Sequence, residues 1–284
     1  MTNNAILLIS CLDQKGITAS VTNFVYEHGG NIVHADQHID EQSNTFFMRV
    51  EWALDGFDIK RPDIAGKFEG LARKFQMRWE LYFTDQRPKA AIFVSKHLHC
   101  LADLLYRHSS GQLLCDIPVI ISNHPDAKKI AQDHSIIFHE ISVTTENKIQ
   151  QEKEQLKILR QYQIDLVILA RYHQILTTNF VKQYPHRIIN IHHSFLPAFV
   201  GSNPYAQADK KGVKIIGATA HYVTEELDQG PIIEQDTVRV SHRDSINDLV
   251  RKGEDLERVV LSRAVRWHLA HKILEFNNKT VIFD

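Results

Sequence analysis

After residue 89 the chain alternates short aliphatic runs with stretches of helical pattern. The runs occupy residues 90–94, 118–122, 136–140, 165–170 and 187–191. The clearest helical stretch covers residues 145–161, where Ile149, Leu156 and Leu159 share one face. Continuous apolar runs suit strands that are buried on both faces. This part of the chain therefore predicts an α/β domain with a Rossmann-like, mostly parallel sheet covered by helices on both sides.

Further elements are expected to complete this domain. Residues 214–223 and 231–240 have the pattern of two strands joined by a polar loop. A long amphipathic helix is predicted over residues 245–272. Residues 273–283 predict a closing hairpin, because Asn277 and Asn278 are residues that tight hairpin turns prefer.

Residues 1–84 follow a different order. A strand is predicted over residues 5–12, and Ile17, Val21 and Val25 then recur at the spacing of a core-facing helix. Strands at 31–40 and 45–52, a helical pattern at 62–80 and a strand at 79–84 follow. This βαββαβ order is the ferredoxin-like arrangement. The polar segment 85–89 contains a proline and predicts a linker between a first domain at 1–84 and a second at 90–284.

Composition argues against several classes of function. The chain has 33 basic and 34 acidic residues and a formal net charge of −1, so no basic surface for nucleic acid is expected. No run of 18 apolar residues occurs, so no membrane span is predicted. Cys11, Cys100 and Cys115 are scattered, as is typical of reduced thiols, and the N-terminus has no signal-peptide pattern. These features predict a cytoplasmic protein.

A cluster of polar residues ends the run at 187–191, where open α/β sheets bind ligands. Asn190 and His192 are two residues apart, so in a strand both side chains face one way and can donate hydrogen bonds to an oxyanion. An acidic loop at 224–231 offers a carboxylate that orients His192 or takes a proton from water. The same pattern also suits a strand-end pair that satisfies loop backbone groups, and a solvated turn. His192 and His193 point to opposite faces of a strand, so no metal site is predicted.

The order of these residues is similar to a known family. Asn190-x-His192-x-Ser194-x-Leu-Pro, followed by His221-x-Val and Leu-Asp228-x-Gly-Pro, resembles the folate-dependent formyltransferase superfamily over about residues 90–284. The resemblance implies that Asn190, His192 and Asp228 are catalytic, and that Ser194 and His221 are secondary active-site residues. It also implies a folate-binding site formed by Arg171, Gln174, Ile175, Leu176, Thr224, Glu225, Glu226 and Leu227.

Two features favour water over an amine as the acceptor of the formyl group. Residues 95–101, after the first strand of this domain, contain no glycine, so the backbone provides no close cradle for a phosphate-bearing acceptor. Lys96 could still hold an anion as a point charge. No basic extension follows the predicted hairpin, unlike the added domain of the transferase that acts on tRNA.

The first domain has a resemblance of its own. Residues 12–17 (Leu-Asp-Gln-Lys-Gly-Ile) and 29–32 (Gly-Gly-Asn-Ile) resemble an ACT domain. The resemblance implies that Asp13, Gly16 and Asn31 lie near an effector site or an interface. The effector would be an amino acid such as glycine or methionine, and the protein a homo-oligomer, either a dimer or a tetramer.

An ACT domain ahead of a formyltransferase domain is similar to the formyltetrahydrofolate deformylase family. The resemblance implies hydrolysis of 10-formyltetrahydrofolate to tetrahydrofolate and formate, with no permanently bound cofactor. The implied role is to balance one-carbon pools and to supply formate for purine synthesis. Two alternatives stay open: formyl transfer to an amine, and a non-catalytic sensor of folate or amino acids.

Overall fold

The chain folds into two units. The computed structural model describes residues 3–197 and 204–284. The segment that ends at Arg87 packs as one unit together with Ala270–Phe276 and Val281–Asp284. Pro88–Leu269 and Asn277–Thr280 form the second unit. No helix within the described ranges is long and apolar enough to cross a bilayer.

The first unit is a four-stranded antiparallel sheet with two helices. Its elements are β1 (Asn4–Leu12), α1 (Ile17–Glu27), β2 (Asn31–Asp40), β3 (Thr45–Ala53), α2 (Ile64–Lys74) and β4 (Arg78–Phe83). The strands lie in the order β2-β3-β1-β4. Val25 of α1 and Phe68 of α2 share a buried cluster with Leu7 and Ile9 of β1, so both helices cover one face of the sheet. The ferredoxin-like prediction is confirmed.

The second unit is built on a seven-stranded sheet in the order β11-β10-β9-β8-β5-β6-β7. Its strands are β5 (Lys89–Val94), β6 (Asp116–Ser122), β7 (Ile137–Glu140), β8 (Leu166–Ala170), β9 (Ile188–His192), β10 (Ile215–Tyr222) and β11 (Ile232–Arg239). Its helices are α3 (His99–Ser109), α4 (Lys128–Asp133), α5 (Lys148–Gln161), α6 (Thr178–Val181), α7 (Pro204–Lys211) and α8 (Ile246–Leu269). β5 to β9 pair in parallel, whereas β10 is antiparallel to both neighbours. The prediction of a mostly parallel sheet is confirmed.

The strand order reverses at β5. The chain proceeds from β5 through β6 to β7 toward one edge, and then adds β8 and β9 on the opposite side of β5. The carboxyl ends of β5 and β8 therefore lie side by side at a topological switch point. Open α/β sheets bind their ligands outside the carboxyl ends of the strands at such a point.

One residue of the predicted helix over 145–161 differs from expectation. α5 begins at Lys148, and Leu156 and Leu159 are buried as predicted. Ile149, however, is 68% exposed. It lies in the first turn of the helix, before Glu152, where the buried positions begin.

The closing hairpin was expected in the second domain, but its strands β12 (Ile273–Phe276) and β13 (Lys279–Ile282) lie mostly in the first unit. Phe283 is buried against Leu8 and Phe47, on the face of the first sheet that the helices leave open. Arg49 of β3 donates from Nε to the His271 carbonyl at 3.0 Å. Apolar burial and this hydrogen bond explain why the last residues join the first unit.

We expect Phe283→Ala to lower the free energy of unfolding by about 3–5 kcal/mol, because it removes a buried aromatic ring from a packed cluster. Urea unfolding of the full chain measures the change. Tyr26 is 78% exposed, so Tyr26→Ala is the control and should stay within about 0.5 kcal/mol. A Phe283→Ala protein as stable as the control would contradict the packing of this segment.

Candidate active site

Two antiparallel strands bring three polar side chains of the second unit together. Asn190 and His192 lie two residues apart on β9 and project from the same face. His221 of β10 stands opposite Asn190 in the strand register. The Asn190 Nδ2 atom lies 3.2 Å from His221 Nε2. Strand pairing, rather than nearness in sequence, therefore places a second imidazole beside the amide.

Asp228 reaches this group from the loop that follows β10. Because β10 is antiparallel to β9, it ends opposite Ile189, and the loop must fold back toward His192. Asp228 has a positive φ of 56°, a conformation that Asp adopts more readily than most residues. A Cβ on Gly230 would lie 1.8 Å from the Tyr222 carbonyl oxygen. Only glycine lets the loop close this tightly without a backbone shift.

The Asp228 carboxylate lies between two imidazoles. Its Oδ2 atom is 3.3 Å from His192 Nδ1, and its Oδ1 atom is 3.7 Å from His221 Nε2. A carboxylate only accepts hydrogen bonds, so His192 Nδ1 carries the hydrogen that faces Asp228. His221 Nδ1 donates in turn to the Tyr222 carbonyl oxygen at 2.9 Å. Both rings are thus held in defined orientations.

This arrangement has two chemical consequences. Hydrogen bonds from His192 and His221 hold the pKa of Asp228 well below its usual range, so Asp228 is a carboxylate at neutral pH. His192 Nε2 is buried, and no residue in the described part of the chain hydrogen-bonds to it. Nε2 is therefore the atom of His192 that is available to a substrate.

Ser194 braces the turn that follows His192. Thr219 stands opposite His192 in the register of β9 and β10. Its Oγ1 donates to the Ser194 carbonyl oxygen at 2.9 Å and accepts from the Leu196 backbone N–H at 3.0 Å. The backbone of Ser194 therefore helps to fix the end of β9.

The predicted folate-binding residues Gln174, Ile175 and Leu176 follow β8. Ile175 is 58% exposed, and Gln174 is half-buried. Leu176 packs against the buried cluster that contains Ile188, which shares a face of β9 with Asn190. These contacts place Leu176 on the same side of the sheet as Asn190.

The other predicted folate-binding stretch is the loop that carries Asp228. Thr224 Oγ1 donates to the Glu226 carbonyl oxygen at 3.2 Å. Glu225 pairs with Lys182 at 3.3 Å, and Leu227 is 54% exposed. The loop therefore presents an apolar side chain directly before Asp228.

A second buried carboxylate was not predicted from the sequence. Glu257 of α8 accepts hydrogen bonds from His99 Nε2 at 2.7 Å and from the Tyr205 hydroxyl at 2.8 Å. Arg171 Nε lies 3.4 Å from Glu257 Oε2 and has no hydrogen-bond partner within the described residues. Burial raises the pKa of Glu257, but His99 and Arg171 outweigh it and hold that pKa below its usual value. Glu257 lies three residues before Val260, so the two side chains share the apolar face of α8. A charged residue on that face is the signal that could have indicated a buried carboxylate.

His99, Cys100 and Glu257 form a group with metal-ligand chemistry, because their ligand atoms lie within 4.8 Å of one another. Burial and the charge of Glu257 raise the pKa of Cys100 well above its usual value, so the thiol keeps its proton. The Arg171 guanidinium also lies against Glu257. A divalent cation would have to share that carboxylate with a fixed positive charge, which opposes its binding.

The three residues predicted to act in the first unit are not brought together. Asp13 and Gly16 lie in the turn between β1 and α1, and Gly16 has a φ of 93°. β1 and β2 both pair with β3, and Asn4 and Asn31 both stand opposite Ala53. Asn31 therefore lies at the end of the sheet that is far from Asp13. At about 3.3 Å per residue, roughly 25 Å separates the two ends. Within one chain, a small molecule contacts either the turn or Asn31.

Comparison with known proteins agrees with this architecture. Residues 88–265 match the family model described as formyl transferase, and residues 5–73 match the ACT domain model. A formyltetrahydrofolate deformylase of Synechocystis is 60% identical over 98% of each chain. The crystal structure of a formyltetrahydrofolate deformylase from Pseudomonas syringae superposes with a TM-score of 0.98 at 46% identity, covering 100% of this chain and 95% of that one. A glycinamide ribonucleotide transformylase 1 from Symbiobacterium toebii, 28% identical, covers 72% of this chain and 98% of its own with a TM-score of 0.66.

The fold and the site thus define a member of the formyl transferase family that carries an ACT domain. The glycinamide ribonucleotide transformylase leaves over a quarter of this chain unmatched. The Synechocystis and Pseudomonas syringae proteins, which match nearly the whole chain, are deformylases. The chain belongs to the formyltetrahydrofolate deformylase family.

The depressed pKa of Asp228 predicts how stability depends on pH. A carboxyl group whose pKa is lower in the folded state stabilises the protein above its unfolded pKa, about 3.9, and this contribution is lost as the pH falls toward the folded pKa. We expect Asp228→Asn to be less stable than the parent by about 1.5–3 kcal/mol at pH 7, the range for hydrogen bonds to charged groups. Below pH ~4 the gap should shrink.

Urea unfolding between pH 3 and pH 7 measures this gap. Asn is the chosen replacement because it tolerates the positive φ of Asp228. Asp133 is exposed and pairs with Lys129 at 3.6 Å, so Asp133→Asn serves as the control and should show no such trend. A gap that is independent of pH would contradict the stabilising role of the Asp228 carboxylate.

Proposed function

We propose that this protein hydrolyses 10-formyltetrahydrofolate to tetrahydrofolate and formate. The observation that carries the proposal is the grouping of Asn190, His192 and Asp228, with His192 Nε2 left available, in a chain that matches deformylases along nearly its whole length. The substrate holds its formyl group as an amide on N10. Its hydrolysis needs a polarised carbonyl, an activated water and a proton for the departing nitrogen.

Each requirement has a residue of suitable geometry. His192 Nε2 takes a proton from water as the water oxygen bonds to the formyl carbon. The Asn190 amide has two N–H groups; one faces His221, and the other donates to the carbonyl oxygen as its charge develops. His192 then passes its proton to N10 as the C–N10 bond breaks. Formate and tetrahydrofolate are released, and His192 returns to its starting form.

Asp228 orients His192 in this scheme and is not the base. Hydrogen bonds from the two imidazoles keep its pKa low, so it is a weak acceptor for a proton from water. It accepts from His192 Nδ1 and so directs Nε2 toward the substrate. His221 Nε2 lies 3.7 Å from the second carboxylate oxygen.

The pterin ring of the substrate is proposed to lie between the segment after β8 and the loop before Asp228. Ile175 and Leu227 are both more than half exposed, and apolar side chains of this kind pack against an aromatic ring. Gln174, Leu176, Thr224, Glu225 and Glu226 complete the two segments. The side chain of Arg171 faces Glu257, so we assign the pterin contact of Arg171 to its backbone.

The first unit is proposed to bind an amino-acid effector, glycine or methionine, at the turn that contains Asp13 and Gly16. The strand register separates this turn from Asn31. A ligand would contact both only where two chains pair, which supports a homo-oligomer. All three cysteines are free and buried, which supports a reducing, cytoplasmic location. The formate produced would balance one-carbon pools and supply purine synthesis.

The hydrolase activity is tested by formate release from purified protein and 10-formyltetrahydrofolate with no acceptor added. We expect steady release, and a loss of about 10²–10⁴-fold in kcat for His192→Ala, the range for removal of a general acid–base group. Asn190→Ala should cost about 10²–10³-fold, as for other oxyanion donors. His242 is exposed, so His242→Ala is the control. Full activity in His192→Ala would overturn the assignment of His192 as the base.

The effector proposal predicts that millimolar glycine or methionine changes the rate of formate release. Asp13→Ala should abolish the response while the rate without effector stays the same, because Asp13 lies in the first unit and outside the catalytic group. The same assay with and without each amino acid measures this. A rate that neither amino acid changes would contradict the proposed site.

A further inference from the structure

Glu257 of α8 is surrounded by side chains that come from three separate segments. His99 stands at the start of α3, which follows β5. Arg171 directly follows β8, and Tyr205 lies near the start of α7. Glu257 has a side-chain exposure of 1%, and Arg171 and His99 have exposures of 11% and 12%. We call these four residues the Glu257 cluster.

The Glu257 cluster lies at the topological switch point of the sheet. His99 comes from the chain after β5 and Arg171 from the chain after β8, the two strands between which the order reverses. Ser95 joins the same two segments, because its hydroxyl accepts from the His173 backbone N–H at 3.1 Å. An open α/β sheet offers its principal ligand crevice at this place. In this chain the protein's own side chains occupy it.

The cluster also adjoins the catalytic group. The rings of Tyr205 and His193 have centroids 6.0 Å apart, and those of His193 and His192 are 5.2 Å apart. His193 is thus the only residue between the cluster and His192 along this path of described ring contacts. A second substrate that approached the formyl carbon from the switch point would meet Tyr205 and Arg171.

Both oxygens of Glu257 already have partners in the cluster. One oxygen accepts from Tyr205, and the other accepts from His99 and faces Arg171. A buried carboxylate is the natural partner for an amine substrate, but the charge of Glu257 is already matched. Gly253 makes this arrangement possible, because a Cβ at that position would lie 1.9 Å from the Tyr205 hydroxyl oxygen.

We infer that Arg171 and Tyr205 determine specificity for water, because with Glu257 and His99 they fill the position that an amine acceptor would need beside His192. The inference rests on the proposed hydrolase function. In hydrolysis the water oxygen bonds to the formyl carbon, the C–N10 bond breaks, N10 gains a proton, and formate forms. In transfer an amine nitrogen bonds to the same carbon, loses a proton, and N10 gains one. The two reactions differ only in which nucleophile reaches that carbon.

The test measures how the formyl group is partitioned between water and hydroxylamine, a small amine that is unprotonated at neutral pH. Formate and N-formylhydroxylamine are quantified in one reaction, with a blank that lacks enzyme. From the parent protein we expect mostly formate, with a small, measurable amount of N-formylhydroxylamine that fixes the reference ratio. In Arg171→Ala the ratio of formylated amine to formate should rise by about tenfold or more, the scale on which a pocket discriminates small groups. A general loss of activity cancels from this ratio.

Arg171→Ala leaves the buried Glu257 short of a partner and destabilises the fold, so Tyr205→Phe is the second variant. It removes one hydroxyl group and frees one carboxylate oxygen, and we expect a rise of about threefold. Tyr172 is also buried, but its hydroxyl accepts from Gln155 at 2.9 Å, so Tyr172→Phe is the matched control. Arg107→Ala, which removes an Asp103 pair at 2.7 Å, controls for loss of an arginine.

The outcomes separate this inference from the proposed function. A parent protein that releases no formate refutes the hydrolase and, with it, the role of His192 as the base. A parent that releases formate, with folded Arg171→Ala and Tyr205→Phe variants that keep its partition ratio, overturns the role of the Glu257 cluster. If Arg171→Ala does not fold, the ratio of Tyr205→Phe decides alone.

Discussion

The pairing of β9 with β10 is the constraint on which the grouping of Asn190, His192, His221 and Asp228 depends. It sets Asn190 opposite His221 and His192 opposite Thr219. A shift of one residue would turn the facing side chains to opposite sides of the sheet. The antiparallel direction of β10 also decides where the loop after it begins. The loop must then return toward His192, and the tight closure at Gly230 allows that return.

The two buried carboxylates, Asp228 and Glu257, differ in the partners that surround them. Asp228 lies between two imidazoles, one of which keeps a ring nitrogen available to substrate. Glu257 is matched by a guanidinium, an imidazole and a phenol. Burial penalises both charges, so each needs partners. Beside Asp228, His192 Nε2 has no hydrogen-bond partner within the described residues, whereas both oxygens of Glu257 already accept a hydrogen bond.

Much of this could be predicted from the sequence, and the reasons for the failures are physical. The shared face of Asn190 and His192 could be predicted because side chains alternate along a strand, which is a local property. The order of strands and helices along the chain in both units could be predicted from aliphatic runs and turn residues. The position of Glu257 depends on how α8 packs, which no local pattern encodes, although its place on an apolar face was visible. The approach of the Arg171 side chain to Glu257 depends on the same packing, because a buried carboxylate attracts a nearby cation.

The residues of the C-terminal hairpin do not by themselves indicate which of the two units it joins. The two asparagines, Asn277 and Asn278, correctly predicted a hairpin turn. Both residues have the positive φ that such a turn requires, 48° and 58°. Which sheet that hairpin covers depends on an apolar face that the first sheet leaves open, formed by Leu8 and Phe47. The continuous apolar run of β1 could have identified that face, because Leu8 lies between the core residues Leu7 and Ile9 and so points to the opposite face of the strand. A strand that is apolar on both faces needs cover on both, and in this chain the second cover comes from residues more than two hundred positions away.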